Sequence, residues 1–454
     1  MLWKHLPFWG LLMIIVFSGC ATYRTAATLP EPRPLARDFE RAVSSVQPEK
    51  TDSLAATVQS ASGVMTLSRA LSLALLQNPK LATFSYEIRA AEARALQAGL
   101  YPNPEIDVEL ENVAGSGAFS GFGGTETTVS LSQSILLGGK RAKAAEAAAL
   151  EGDLAAWDYE SKRLDVFTNV RRAFLTVLAA QQRVSLNEEL TELSGQLLQT
   201  ITERVAAGKT SPAEISRARV ILSATRVELA RSRREFLASR QQLAATWGER
   251  TANFSRVTGS LDTLIRIPSA DKLRALLPQN PDLARFAAAL KQRQAVIALE
   301  DARRIPDPTI SGGVRRLSES DDNAFVVGLS IPLPFSDKNQ GARQEARIRL
   351  AQTLKTKQAV ETRLNAALSQ AYQRLSSANN ETNILKNEIL PEARKAYQTI
   401  NEGYLQGRFD FLDVLDAQRT LFEARGQYLR ALTDFHINIT EIERLISQEI
   451  NTIP

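Results

Sequence analysis

The chain says the same thing twice. Gln77-Asn78-Pro79-Lys80-Leu81-Ala82 returns as Gln279-Asn280-Pro281-Asp282-Leu283-Ala284, and Tyr101-Pro102-Asn103-Pro104-Glu105-Ile106 returns as Ile305-Pro306-Asp307-Pro308-Thr309-Ile310. Val129-Ser130-Leu131-Ser132 matches Val327-Gly328-Leu329-Ser330, and Glu203, Gly208 and Leu222 match Glu402, Gly407 and Leu421. A period of about 200 residues is too long for a solenoid and indicates duplication of a whole module. The expected repeats are 65–256, with a hairpin at 105–135, and 269–450, with a hairpin at 308–333, joined at 257–268.

Each copy has the same internal order. A helical stretch (66–100, then 270–304) ends at an X-Pro-X-Pro stop, because proline disfavours helix at the residue before it. Two alternating segments follow around a polar or glycine-rich loop. Ile106, Val108 and Leu110 share one face of the first segment, with carboxylates on the other. Val129 and Leu131 alternate with Ser130 and Ser132, and Phe325, Val327, Leu329 and Ile331 share a face in the second copy. Then come long helices. Residues 138–206 contain no proline, and roughly 70 helical residues span on the order of 100 Å. Gly208 suits the position just past a helix, Ser211 an N-cap, Pro212 the first helical residue and Glu214 the capping-box acid. In the second copy Gly407 is followed by Asp410 as N-cap and Asp413 as the capping-box acid. Helices this long are expected to pack as coiled-coil hairpins.

Residues 1–19 read as a secretory signal: Lys4 and His5, an apolar run, then Ser18-Gly19 before Cys20. The small-small-Cys ending resembles a bacterial lipobox, with Cys20 as the lipidated first residue of the mature chain. Residues 20–64, with Pro30, Pro32 and Pro34, are expected to form a lipidated tether. One cysteine and two histidines leave no basis for a disulfide framework, a zinc cage or a histidine-based catalytic centre. Gly139-Lys140 fails as a phosphate loop, since Ser134 and Arg141 stand where Gly and Ser or Thr are needed. His436 is expected to be a surface or packing residue. A net charge of +5, with Arg171-Arg172 and residues 231–234 interleaved with Glu and apolar residues, gives no nucleic-acid stripe. No enzyme, metal site or cofactor is expected.

No later stretch is apolar enough for a membrane helix, so any crossing must use strands. Four strands per chain cannot close a barrel. Either the sheet is completed by other copies or it lies in water. Two chains give the eight-stranded minimum with a filled interior, and three give twelve strands and room for a lumen.

The duplicated Gln-Asn-Pro, the X-Pro-X-Pro stops, Leu137-Gly138-Gly139-Lys140-Arg141 and, above all, residues 404–418 (YLQGRFDFLDVLDAQ) resemble the TolC-type outer-membrane efflux channels, most closely the heavy-metal (CzcC/CusC-like) branch. The resemblance implies a mainly α fold with a membrane β-hairpin part. It implies a homotrimer with a twelve-stranded shared barrel in the bacterial outer membrane and a helical tunnel in the periplasm. It also implies docking to a periplasmic membrane-fusion adaptor and an inner-membrane RND pump. Heavy-metal cations are the favoured cargo. Drug or small-molecule efflux and type I secretion are the alternatives, and a lipid-anchored periplasmic coiled-coil scaffold is the reading from another class. Asp413 and Asp416 match the segment that forms the channel's aperture, where a ring of carboxylates favours cations. Tyr404 matches a tyrosine whose hydroxyl helps keep the tip closed; its partner arginine is not matched, Phe409 standing in that place with Arg408 one residue earlier. The reversals Gly208, Lys209, Thr210, Ser211 and Gly407, Arg408, Phe409, Asp410 are the expected adaptor contacts.

Overall fold

The computed structural model describes residues 63–453. The lipidation site expected at Cys20, the signal segment and most of the tether lie outside the described residues. Two compact units are present, the first built from 89–153 and 291–348, the second from 63–88, 154–290 and 349–453.

The first unit holds the four-stranded sheet. β2 (Glu105–Glu111), β3 (Glu126–Ser134), β5 (Thr309–Leu317) and β6 (Asp322–Ser330) lie in that order, each antiparallel to the next. The two hairpins, one from each copy, meet along β3 and β5. The second hairpin turns more tightly than its polar run indicated, since β6 begins at Asp322, and Ile331 falls one residue past its end. In the same unit Ala147 packs on Ala295 and Leu299.

The second unit is helical. α1 (Leu67–Gln77) and α2 (Pro79–Ala98) precede β2; α3 (Lys140–Ala206) follows β3, its first turns belonging to the first unit. α4 (Ala213–Ala245) returns the chain. The second copy runs α5 (Ala270–Leu276), α6 (Pro281–Arg303), α7 (Gln340–Ile384), α8 (Leu390–Leu405) and α9 (Phe411–Ile446). A π-helical turn, Leu385–Ile389, separates α7 from α8; Leu390 donates to the Leu385 carbonyl just before Pro391, which has no N–H to donate. The unit's core has two main clusters. One joins Met65, Leu73, Val170, Phe174, Trp247, Phe254 and Leu432, the other Leu273, Leu368, Leu375, Phe435, Ile442 and Ile446. The tether is expected to reach residue 64, but Gly63 and Val64 lie in a strand. β1 (Gly63–Met65) pairs in parallel with β4 (Phe254–Val257), and Met65 and Phe254 are wholly buried.

The Gln-Asn-Pro repeat has a mechanical role. Asn78 accepts from the Leu81 N–H through Oδ1 (3.0 Å), capping α2, while its Nδ2 donates to the Thr246 carbonyl at the end of α4 (2.6 Å). Asn280 accepts from the Asp282 N–H (2.8 Å) and donates to the Leu445 and Arg444 carbonyls near the end of α9 (2.8 and 3.2 Å). One side chain in each copy thus satisfies orphan groups at the start of one helix and the end of another. Beside Asn280, Arg444 lies between Asp165 and Asp282 (2.8 and 3.0 Å).

Candidate functional site

The sheet sorts its side chains by chemistry. Directly opposed residues share a face, and the register aligns Ile106–Leu131–Gly312–Val327 and Val108–Val129–Val314–Phe325 in rows. Ile310 lies beside Leu329 on the same face. Every strand residue predicted to face lipid is therefore on one surface: Ile106, Val108, Leu110, Val129, Leu131, Phe325, Val327 and Leu329. All are exposed, from 48% for Val129 to 91% for Phe325, and Ile331 beyond the strand is exposed too. So large a contiguous apolar patch marks an interaction surface. At the hairpin ends the face turns polar, with Thr127, Arg316 and Asn323 level with Leu110.

The opposite face carries Glu105, Asp107, Glu109 and Glu111 on β2, and Glu126, Thr128, Ser130, Ser132 and Ser134 on β3. Sequence reasoning found the carboxylates and missed their counter-charge. Arg315 of β5 reaches Glu126 (2.8 Å), Glu111 (2.9 Å) and the Thr128 hydroxyl (2.9 Å). β2 and β6 each have one edge without a partner strand among the described residues.

The helical reversals of the second unit form the other candidate region. α3 and α8 end in the same motif. Gly208 (φ +69°) donates to the Val205 carbonyl and Lys209 to that of Arg204; Gly407 (φ +80°) donates to Tyr404 and Arg408 to Gly403. These are Schellman ends, which need a left-handed residue that glycine supplies without strain. The expected capping box at Asp410 and Asp413 is present, Asp413 Oδ2 accepting from the Asp410 N–H at 3.0 Å. The box expected at Ser211 is not. Helix α4 begins at Ala213 with Pro212 in the cap position, because its first turn closes through tight bonds from Glu214 to the Ser211 carbonyl and Ile215 to that of Pro212. The Ser211 hydroxyl accepts from the Ala213 N–H at 3.3 Å. Thr210 is half-buried and the other seven reversal residues are exposed.

Tyr404 is buried, 2% exposed, in a cluster with Ile201, Ala218, Phe411 and Val414. Its hydroxyl has no hydrogen-bond partner among the described residues, and burial pushes its pKa up. The arginine at this tyrosine is Arg204, from the first copy. Its guanidinium stacks on the ring at 4.5 Å and donates to the Tyr404 carbonyl at 3.0 Å. Arg408 is exposed, and Phe409 packs its ring over Gly403, where an added Cβ would meet Phe409 Cδ2 at 2.3 Å. Asp413 and Asp416 are both exposed on α9. They border a groove of ≈ 1090 Å³ between α3, α4 and α9, whose walls include Asn187, Thr225 and Gln418. Asp416 is paired with Arg419 at 2.7 Å, which the carboxylate pattern alone did not reveal. His436 is a packing residue, its Nε2 2.8 Å from the Leu261 carbonyl and its ring edge-on to Phe435; desolvation by burial lowers its pKa. No metal-ligating cluster occurs among the described residues.

An amphipathic sheet whose two edges are unpaired among the described residues, in one chain with long helices, has the elements of an outer-membrane channel protomer. Residues 70–249 and 273–448 match the family "Outer membrane efflux protein", once in each copy, and the chain belongs to it. It is 35% identical over 389 residues to the cobalt-zinc-cadmium resistance protein CzcC of Cupriavidus metallidurans, covering 86% of this chain and 91% of that one. It is 30% identical to the nickel and cobalt resistance protein CnrC of the same organism, over 66% of this chain and 71% of that one. Among solved structures, the fold matches the channel protein CusC with a TM-score of 0.70 at 18% identity, covering 84% of this chain and 91% of that one.

Proposed function

We propose that this chain is the outer-membrane exit duct of a tripartite efflux system, assembled as a homotrimer whose twelve-stranded barrel is shared between copies. The observation that carries the reading is the sheet. It has an apolar face on every strand, an opposite face that is acidic and hydroxyl-lined on β2 and β3, and two edges without a partner strand among the described residues. In lipid such edges must be closed by strands from other copies. Three copies leave a lumen, and the polar face lines it. The duct is passive: no bond chemistry occurs in it, and it holds no cofactor.

Cys20 carries the lipid anchor in the periplasmic leaflet of the outer membrane, and the helical unit lies in the periplasm. The reversals 208–211 and 407–410 dock the periplasmic adaptor, which links the duct to an RND pump. Heavy-metal cations are the cargo, a reading supported by the cobalt, zinc, cadmium and nickel resistance relatives. Asp413 and Asp416 ring the tunnel mouth and favour cations, Arg419 offsetting part of that charge.

Planar-bilayer recording tests the duct: the purified protein should run as a trimer and conduct, and a non-conducting monomer would overturn the proposal. Restoring cobalt, zinc and cadmium tolerance to a deletion strain tests the cargo. Restored drug tolerance without metal tolerance would assign small molecules instead. Replacing both Asp413 and Asp416 by Asn should lower the cation preference; unchanged selectivity would remove the pair from the aperture.

A further inference from the structure

The apolar row on β6 does not stop where the strand stops. Phe325, Val327, Leu329 and Ile331 are followed by Leu333 and Phe335, 66% and 82% exposed, after the chain has left the sheet on the helix side. These two residues form one wall of a groove of ≈ 660 Å³ in the first unit. The other wall is the end of α6 and the segment after it, with Arg303, Arg304 and Asp307, and Lys140 at the start of α3. Pro306, Pro332 and Pro334 line it as well. Their fixed φ holds both walls in shape before anything binds.

The charges in this groove are not equivalent. Lys140 is matched by Asp307 at 2.7 Å, with both side chains largely covered. Arg303 pairs with Glu300 at 2.7 Å. Arg304 makes no hydrogen bond or ion pair among the described residues. The acidic residues lining the groove are Asp307 and Asp337, so three cations face two carboxylates. Asp301, one turn back on α6, is held below the usual carboxylate range mainly by Arg343, with Arg347 and Arg304 adding to the effect.

A guanidinium without a hydrogen bond or ion pair among the described residues, beside an exposed apolar row at the level where the chain leaves the hydrocarbon, has the chemistry of one ligand class. We propose that this groove seats a phospholipid of the leaflet nearest the helices. Its phosphate lies on Arg304 with Arg303 beside it, and its acyl chains run along Phe335, Leu333 and the β6 row. Guanidinium forks suit phosphate oxygens, and long basic side chains at a membrane boundary turn naturally toward headgroups. Continuity with the apolar face selects the lipid over a soluble anion. The inference rests on the membrane reading of that face.

Native mass spectrometry of the full-length protein, after detergent exchange and titration with phosphatidylglycerol, phosphatidylethanolamine or inorganic phosphate, tests it. Wild type should retain phospholipid on each protomer. Arg304→Gln should weaken retention about tenfold, as expected for one lost charge-assisted contact. Arg304→Lys should restore part of it, and Phe335→Ser should weaken retention of the lipid without creating phosphate binding. All variants should conduct like wild type, which separates this test from that of the duct. Conducting trimers with equal lipid retention in wild type and Arg304→Gln would overturn the proposal. So would complete competition by inorganic phosphate, which would make the groove a free-anion site. Dissociation of the trimer by Phe335→Ser, with lipid per remaining trimer unchanged, would also overturn it, by showing that a second copy covers this wall.

Discussion

Asn280 is the most sharply testable residue of the repeat. It is fully buried, and its amide makes three bonds: it accepts from the Asp282 N–H and donates to the Leu445 and Arg444 carbonyls. Asn280→Ala removes the cap of α6, worth about 1 kcal/mol, and strands buried carbonyls at roughly 1–3 kcal/mol for each group that water cannot reach. A loss of about 3–5 kcal/mol per protomer follows, since relaxation of the helix ends recovers part of the sum. Asn280→Asp separates the two roles. Aspartate caps as well as asparagine does, so a pure cap would tolerate it. Here it cannot donate, and it sets an anion against carbonyls at the negative end of α9. Chemical unfolding, followed by fluorescence of the buried Trp247, should rank wild type above Asn280→Ala, with Asn280→Asp no better than Ala. Wild-type stability in Asn280→Asp would refute the bridging role. Asn78, half-buried and with a single carbonyl partner, should show the same order with a smaller loss.

Three further outcomes are expected. A Cβ at Gly313 would lie 2.3 Å from the Val129 carbonyl oxygen, whereas one at Gly312 meets nothing within 4 Å; Gly313→Val should abolish the folded, heat-modifiable band on gels, and Gly312→Val should leave it. Arg315→Ala frees Glu111 and Glu126 of their counter-charge, so the reversal potential in a salt gradient should shift toward greater cation selectivity; no shift would place this face away from the ion path. His436 faces the Leu261 carbonyl, Asp262 and Phe435, and its pKa is depressed by burial, so the folded state resists protonation. The unfolded chain then binds more protons, and the stability His436 contributes is present above pH 6.5 and lost as pH falls through the folded-state pKa. Replacing His436 by Gln should flatten unfolding midpoints measured across that range.

What could be read in advance followed from periodicity. A period of two places Ile106, Val108 and Leu110 on one face whatever their neighbours are, and the register then puts Val129, Leu131 and Phe325 beside them. Arg315 was hidden because Gly312-Gly313-Val314-Arg315-Arg316 has no clear alternation, and adjacent arginines fall on opposite faces. Pairing across strands, which no single segment encodes, decided which of them meets Glu111. β1 and β4 were missed because strands of three and four residues fall below any periodic window. The π turn had one signal, Pro391, inside an otherwise unbroken helical pattern.

The arginine at Tyr404 had a signal that was available but indirect. The duplication aligns Glu203 with Glu402 and Gly208 with Gly407, which puts Arg204 level with Gly403. Two helix ends of identical Schellman geometry, packed in one cluster, bring equivalent positions together. Arg204 therefore lies within reach of Tyr404, and Phe409 fills the space over Gly403 that a side chain there would have claimed. The same logic runs through the molecule. Where the copies agree, at the asparagines and the glycine ends, they build helix termini. Where they differ, one copy supplies what the other lacks: Arg315 for the acids of β2 and β3, Arg204 for the ring of Tyr404. The differences, not the shared motifs, thus supply the counter-charge of the acidic strands and the stacking partner of Tyr404.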